Sequence, residues 1–265
     1  MSWVVAIPSY NRVETLKEKT LSVLKEYGIP KFKIHVFVAN EDEEELYKAG
    51  VGGDVGKIIV GIKGLAEVRN FIFNYFPKGQ KIVFMDDDIR GIIEYDESAP
   101  RHERKLPTES ITTVFERGFD ECKMADANLW GIYPSPNGFF MRPTVTTDLR
   151  FIIGSFWGCI NPGKDDKYLL KFGGEKEDYQ RTIQFWEADG AVVRLNFISV
   201  KTAYYKEPGG MQDGFSKRVD KQRKTVKKML KKWPQYIKMN PRRKSGYPEI
   251  LLTKPKENLT RKIKK

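Results

Sequence analysis

Asp86, Asp87 and Asp88 stand side by side at the end of the apolar run Lys81 to Met85. Three adjacent carboxylates repel one another unless a cation or solvent offsets their charge. Hard divalent ions such as Mg²⁺ or Mn²⁺ take oxygen ligands, often one or two carboxylates completed by phosphate oxygens. A nucleoside diphosphate bridged by such an ion to Asp86 or Asp88 fits this edge; a solvated acidic turn is the plainer reading. Two other phosphate-binding devices are missing. No G-x-x-x-x-G-K-[ST] occurs, and the stretch from Gly50 to Gly56 fails G-x-G-x-x-G because Val55 holds the third glycine position.

A second acidic group follows a glycine turn, in Gly173-Gly174-Glu175-Lys176-Glu177-Asp178. A positioned carboxylate there could take the proton of an attacking hydroxyl. Equally, these acids could do no more than complement the start of a helix. The pair Phe156-Trp157, flanked by small residues, reads as a stacking platform for an acceptor or as ordinary strand core. Cys122 and Cys159 are the only cysteines, with no metal-ligand spacing, and read as small semi-buried side chains. His35 and His102 are the only histidines, which argues against a Ser-His-Asp enzyme or a multi-histidine metal site.

Elements must carry these residues to one place. Trp3 to Ile7 reads as a buried strand stopped by Pro8 and followed by the polar turn Ser9-Tyr10-Asn11-Arg12. A helix is expected over Val13 to Tyr27, a strand over Ile34 to Ala39 ending in Asn40-Glu41-Asp42, and a strand over Lys57 to Ile62. Gly64 opens a helix through Phe76, and Lys81 to Met85 is a strand. This order predicts an α/β fold with a mainly parallel sheet flanked by helices. Ligands of such sheets sit beyond the carboxyl ends of the strands, where three polar clusters fall here. Further on, Glu94 to Pro107 reads as a polar loop and Thr108 to Lys123 as a helix capped by Thr108. Leu149 to Ile160 reads as strand, Glu175 to Asp189 as helix and Ala191 to Tyr205 as strand. A basic helix over Ser216 to Trp233 precedes an irregular end.

The strings VVAIPSYNR, GLAEVRN and MDDD resemble the nucleotide-binding half of a GT-A glycosyltransferase. Within the family-2-like enzymes, the likeness is to the TET-associated and base-J-associated DNA glycosyltransferases of phages and kinetoplastids. It covers residues 3 to 95 well and the remainder loosely. The resemblance implies a GT-A domain over 1–215, with a nucleotide-sugar half at 1–95 and an acceptor half at 96–215. It implies a UDP-sugar donor held by Pro8, Ser9, Tyr10, Asn11, Arg12, Asn40, Glu41, Arg69, Asn70, Asp86 and Asp87. Mn²⁺ or Mg²⁺ would be held by Asp86 and Asp88, with Asp88 the direct ligand. Asp178 is implied as the general base, with Glu177 second. One departure is the lack of a histidine after His102 to complete a metal site; Gln212 or Asp213, in a donor-covering loop over 207–214, would have to substitute.

The chain of 265 residues has 47 Lys and Arg against 35 Asp and Glu, a net of +12. The excess is not spread evenly. Residues 217–265 carry a net of +16, which leaves −4 for residues 1–216. A basic extension over 216–265 is therefore expected to meet a polyanion. Together with the resemblance this points to DNA bearing a 5-hydroxymethylpyrimidine such as hydroxymethylcytosine. Lys217, Arg218, Lys221, Arg223, Lys224, Arg242 and Arg243 would contact it, alongside Phe156 and Trp157. An anionic membrane is the rival, served by basic amphipathic helices. Against it, the apolar face of the basic helix is narrow and no run approaches the ~18 residues of a span. With no basic leader before Trp3, a soluble, cytoplasmic protein is expected, in the host cytoplasm if phage-encoded.

Overall fold

The computed structural model describes residues 2–202, 215–242 and 245–253. The loop over 207–214, with Gln212 and Asp213, lies outside the described residues, as do Arg243 and the basic end from 254.

The chain opens with β1 (Val4–Pro8) and α1 (Val13–Leu16), which continues through a π-helical turn (Lys17–Leu21) into α2 (Ser22–Glu26). β2 (Ile34–Val38), α3 (Glu41–Val51), β3 (Lys57–Val60), α4 (Leu65–Tyr75) and β4 (Lys81–Met85) complete the first half. The second half holds β5 (Gly91–Tyr95), β6 (Glu103–Lys105), α5 (Ile111–Met124), β7 (Leu129–Ile132), β8 (Val145–Thr146), β9 (Phe156–Ile160), α6 (Glu177–Asp189), β10 (Val193–Leu195) and β11 (Ile198–Lys201). α7 (Phe215–Lys232), β12 (Ile237–Met239) and β13 (Ile250–Leu252) form the extension.

An eight-stranded sheet runs β3-β2-β1-β4-β9-β7-β10-β8, and β11-β5-β6 makes a smaller second sheet. In the large sheet β9 and β8 run against their neighbours while the other strands share one direction. Register places Ala6, Phe84, Trp157, Gly131, Arg194 and Thr146 in one row, on one face. That face packs on α4 and α6 through Ile72, Phe73 and Phe185. The opposite face, with Val5, Ile7, Val83, Met85 and Phe156, packs on α1, α2 and α5 through Leu16, Leu24, Phe115 and Phe119.

Several elements differ from expectation. The acidic run after Asn40 is α3. Asn40 caps it by accepting the Glu43 N–H at 2.9 Å, and the acids of its first turn suit the positive end of the helix. Residues 149–155 are irregular, and only β9 forms where a longer strand is expected. The stretch from Ala191 to Tyr205 breaks at Asn196-Phe197, sending β10 to the large sheet and β11 to the small one. The polar loop over 94–107 contains β6 and the end of β5. Thr108 starts a 3₁₀ turn, Thr108–Ser110, rather than capping α5.

The described part of the extension, 215–242 and 245–253, is ordered as a helix and a strand pair. Val226, Met229, Trp233, Ile237 and Ile250 share a small core with Ile183 of α6. The Trp233 indole donates to Glu187 Oε2 at 2.7 Å, and Thr225 Oγ1 donates to the Phe172 carbonyl at 3.1 Å. β12 and β13 pair antiparallel beneath it. Among the described residues no helix is long and apolar enough to cross a membrane.

Candidate active site

The carboxyl ends of β1 and β4 meet. The Ser9 N–H donates to the Phe37 carbonyl at 3.0 Å, and Ser9 Oγ donates to Asp87 Oδ2 at 2.6 Å. Ser9 Oγ also lies 2.7 Å from the Tyr47 hydroxyl, which accepts the Arg12 N–H at 3.1 Å. Arg12 Nη1 reaches Asp87 Oδ1 at 3.1 Å. Asn11 sits in the left-handed region at φ 53°, and its N–H is held by both oxygens of buried Glu43 at 3.1 and 3.2 Å. The loop over 9–12 is thereby fixed from below by α3 and by Asp87.

This corrects one expectation. Both Asp87 oxygens bond inward, to Ser9 and Arg12, and the residue is buried, so Asp87 braces the loop over 9–12 rather than facing a ligand. Asp86 and Asp88, on either side, remain partly open. Asp86 is anchored through its main chain: its N–H donates to the Ser155 carbonyl at 2.9 Å and its carbonyl accepts from Thr20 Oγ1 at 2.7 Å. About 35% of its side chain is exposed. Burial of its surroundings pushes the Asp86 carboxyl up to about 7; Arg69 opposes this, and Asp88, Asp87 and Glu177 add to it. The local charge is one that a cation would relieve. Among the described residues no three His, Cys, Asp or Glu side chains converge as a metal site. Among the described residues, an ion at Asp86 and Asp88 would find no third such ligand, and phosphate oxygens and water could complete its shell.

Of the other residues expected at the donor, Pro8 ends β1 beside Phe37. Tyr10 is half-buried, with Lys63 Nζ donating to its hydroxyl at 2.9 Å and standing 4.7 Å over its ring. Asn40 caps α3, while Glu41 is exposed on the first turn of that helix. Asn70 is committed elsewhere: its amide donates to the Leu170 carbonyl at 3.0 Å and accepts the Leu170 N–H at 2.9 Å. Both ends of that side chain therefore hold the loop before α6.

Arg69 links the two acidic groups. Buried under the site, its Nη2 lies 3.3 Å from Asp86 Oδ1, 3.4 Å from Glu177 Oε1 and 3.0 Å from the Gly154 carbonyl. Glu177 is buried too, and Arg181 Nη1 takes its other oxygen at 2.5 Å. Arg181 stacks 4.0 Å over the Trp157 ring, and burial lowers its pKa to about 10. Gly154 is required here, since a Cβ would come within 2.7 Å of Glu177 Oε1. Asp178 is only partly buried, and its Oδ1 accepts the Tyr179 N–H at 2.9 Å. Burial and the neighbouring Glu177 carboxylate push Asp178 up to about 6. One acid of the pair is locked between arginines; the other is exposed enough to exchange a proton.

Phe156 and Trp157 are not a platform. Both are fully buried: Trp157 stacks on Phe84 at 3.9 Å, and Phe156 packs edge-on against Phe115 and Trp130. β9 is an interior strand, so its two faces carry core on both sides. Both cysteines are buried, which pushes their thiols up and away from nucleophilic use. On α7, Lys217, Lys221, Arg223 and Lys224 are exposed, Arg223 pairing with Asp220 at 3.1 Å. Arg218 is half-buried 5.8 Å over the Tyr247 ring, and Arg242 is exposed. Sequence reading missed Thr20, Glu43, Tyr47 and Arg181. Only Arg181 left a signal, the helical i, i+4 spacing from Glu177.

No family model matches the chain, and no curated protein matches it. Solved structures do. TarS residues 1–349 from S. aureus align over 87% of this chain with 12% identity and a TM-score of 0.51. The same protein in complex with UDP aligns with 13% identity and a TM-score of 0.50. Glucosyl-3-phosphoglycerate synthase from Mycobacterium tuberculosis, in complex with Mn²⁺, UDP-glucose and phosphoglyceric acid, aligns over 91% of this chain and 84% of its own. Its identity is 10% and its TM-score 0.51. This chain spans 66% of the TarS 1–349 chain and 40% of the longer TarS structure. Likeness at this level defines the fold, which is that of the GT-A glycosyltransferases.

Proposed function

We propose that this chain moves a sugar from a UDP-linked donor to an acceptor hydroxyl. The observation that carries the reading is Arg69, which joins Asp86 on the donor edge to Glu177 on the helix that presents Asp178. One donor-edge carboxylate is thus tied through a buried arginine to the residue beside the candidate base. The M. tuberculosis synthase of the same fold, seen with Mn²⁺ and UDP-glucose, supports the donor class. Asp86 and Asp88 would hold Mn²⁺ or Mg²⁺, whose charge would offset that developing on the departing diphosphate. The loop over 9–12 receives the nucleoside, shaped by Asp87 and Glu43. Asp178 takes the proton of the acceptor hydroxyl, and Glu177 holds its helix in place.

For the acceptor we favour a 5-hydroxymethylpyrimidine in DNA. α7 turns a basic face to solvent while its apolar face docks on α6, so a surface that attracts polyanions is fixed to the helix bearing Asp178. A 5-hydroxymethyl group projects into the major groove where the thymine methyl would lie, and flipping would bring it to an enclosed site at a cost of a few kcal/mol.

The test is incubation with Mn²⁺, a panel of nucleotide sugars and DNA containing hydroxymethylcytosine or hydroxymethyluracil, followed by nucleoside mass spectrometry. A hexose or pentose mass increment on the modified base is expected. Consumption of a nucleotide sugar with no increment on DNA would shift the acceptor to a polysaccharide, lipid or protein. Failure to consume any nucleotide sugar would overturn the transferase reading itself.

A further inference from the structure

Three buried arginines donate to one short stretch of backbone beside the site. Arg69 Nη2 bonds the Gly154 carbonyl at 3.0 Å, Arg181 Nη2 the Ile152 carbonyl at 3.2 Å, and Arg194 Nη1 reaches the Phe151 carbonyl at 3.4 Å. Their charges are treated differently. Arg69 has Asp86 and Glu177, and Arg181 has Glu177. Arg194, only 8% exposed, has no carboxylate within 4.0 Å among the described residues. Its Nε donates to Asn196 Oδ1 at 2.7 Å and its guanidinium lies 5.2 Å over the Tyr133 ring. Asp148 is close enough to act on it but is bound by Arg150 Nε at 2.8 Å, and Arg150 adds a second positive charge.

An uncompensated cation with this little solvent is costly, and the usual resolution is an anionic partner. No Nη2 bond from Arg194 is made among the described residues, and that atom is not among the fully buried unpartnered ones. Nη2 is thus neither bonded among the described residues nor fully buried. The position also fits. Arg194 on β10 lies in the same row and on the same face as Trp157 on β9, with β7 between them. Two strand spacings separate Arg194 from Trp157 by about 10 Å. Arg181, which grips Glu177, lies on Trp157. Between these two residues lies Gly131, over which Ile152 folds; a Cβ at Gly131 would meet Ile152 Cγ2 at 2.3 Å.

We propose that Arg194, with Arg150 beside it, forms a subsite for a phosphate or phosphodiester group of the acceptor, on the sheet face shared with α6. The inference rests on the transferase reading for its purpose, but its chemistry stands apart from it. Guanidinium groups match phosphate by two parallel charge-assisted hydrogen bonds. In a DNA acceptor the group would be a phosphodiester near the target nucleotide. The competing role is structural, with Arg194 only tying residues 133 and 151 to β10.

Inorganic phosphate is the first probe, titrated into the full chain while the Arg194 Nε–Hε resonance is followed by NMR. A saturable shift that weakens in Arg150→Gln is expected. No shift through the millimolar range overturns the subsite and leaves the structural tie, which Arg194→Gln would then reveal as lost thermal stability alone. The second measurement is transfer kinetics with Arg150→Gln, a half-exposed position. Loss of one charge-assisted contact should raise the acceptor KM about tenfold, and replacing acceptor phosphates by uncharged methylphosphonates should reproduce that rise in the parent and add little to the variant. A methylphosphonate penalty equal in both proteins counts against the subsite. Phosphate binding without any sugar transfer would defeat the proposed function and leave this inference standing; transfer without phosphate binding would do the reverse.

Discussion

Glu177 and Asp178 are neighbours in sequence with opposite surroundings. Glu177 is buried between Arg69 and Arg181, both held in place by main-chain carbonyls. Removing its charge would leave buried Arg181 without an ion-pair partner and Arg69 with Asp86 alone. Glu177→Gln should therefore destabilise the fold by about 3–5 kcal/mol, read as a fall in Tm by calorimetry. Asp178 is partly exposed and its carboxyl is held up to about 6 by burial and by Glu177. Only the deprotonated form can accept a proton, so kcat/KM should rise with pH through about 6 and level off above it. Asp178→Asn should cut transfer by about 10²–10⁴-fold and abolish that rise. A variant that keeps the full pH profile would remove Asp178 from the base role.

At the scale of elements, β9 is where the site meets the core. It is interior to the sheet, and the row beside it is crowded: a Cβ on Gly158 would come within 2.4 Å of the Trp130 indole. Trp130 is fully buried and also packs on Phe119, so it has no room to yield. Gly158→Ala should destabilise by about 1–3 kcal/mol in chemical denaturation, with Asp86 and Asp178 untouched in sequence. The parallel half was legible because its strands are continuous apolar runs ended by polar turns, and β4 has the bounds expected for it. The three polar strand ends were legible for the same reason. Two of them do meet, through Ser9 and Arg12 on Asp87, and the third reaches Asn11 through Glu43. What stayed hidden depends on contacts remote in sequence. Nothing local says that both Asp87 oxygens are spent on Ser9 and Arg12, or that Asn70 is spent on Leu170, one hundred residues away. The Phe156-Trp157 pair was ambiguous because a buried strand and a stacking platform share one composition. Short strands such as β6, β12 and β13 have three residues each, too few for a periodic signal.

For the molecule as a whole, the basic residues of α7 among the +16 over residues 217–265 sit on a docked helix. α7 and the β12–β13 hairpin share a core with α6, and the hairpin side reaches the start of that helix. Lys176, in the left-handed region just before Glu177, bonds Glu249 at 3.2 Å, and the Tyr179 hydroxyl donates to the Ile250 carbonyl at 3.1 Å. Deleting the extension from residue 215 would uncover Ile183 and release both clamps, so Tm and transfer should fall together whatever the acceptor. Charge must be removed without disturbing the docked face. Lys217, Lys224, Lys228 and Lys231 are exposed and lie along one stripe of α7, away from buried Val219, Gln222, Val226 and Met229. Changing all four to alanine should leave Tm close to that of the parent and weaken DNA binding most at low salt. If each lysine meets a phosphate, the slope of log Kobs against log salt should become shallower by roughly 3–4. A slope unchanged by the four substitutions, with the fold intact, would mean that the polyanion is bound elsewhere. A slope that flattens while Asp178→Asn alone stops the chemistry would assign binding to α7 and proton transfer to α6, two helices held together by Trp233 and Glu187.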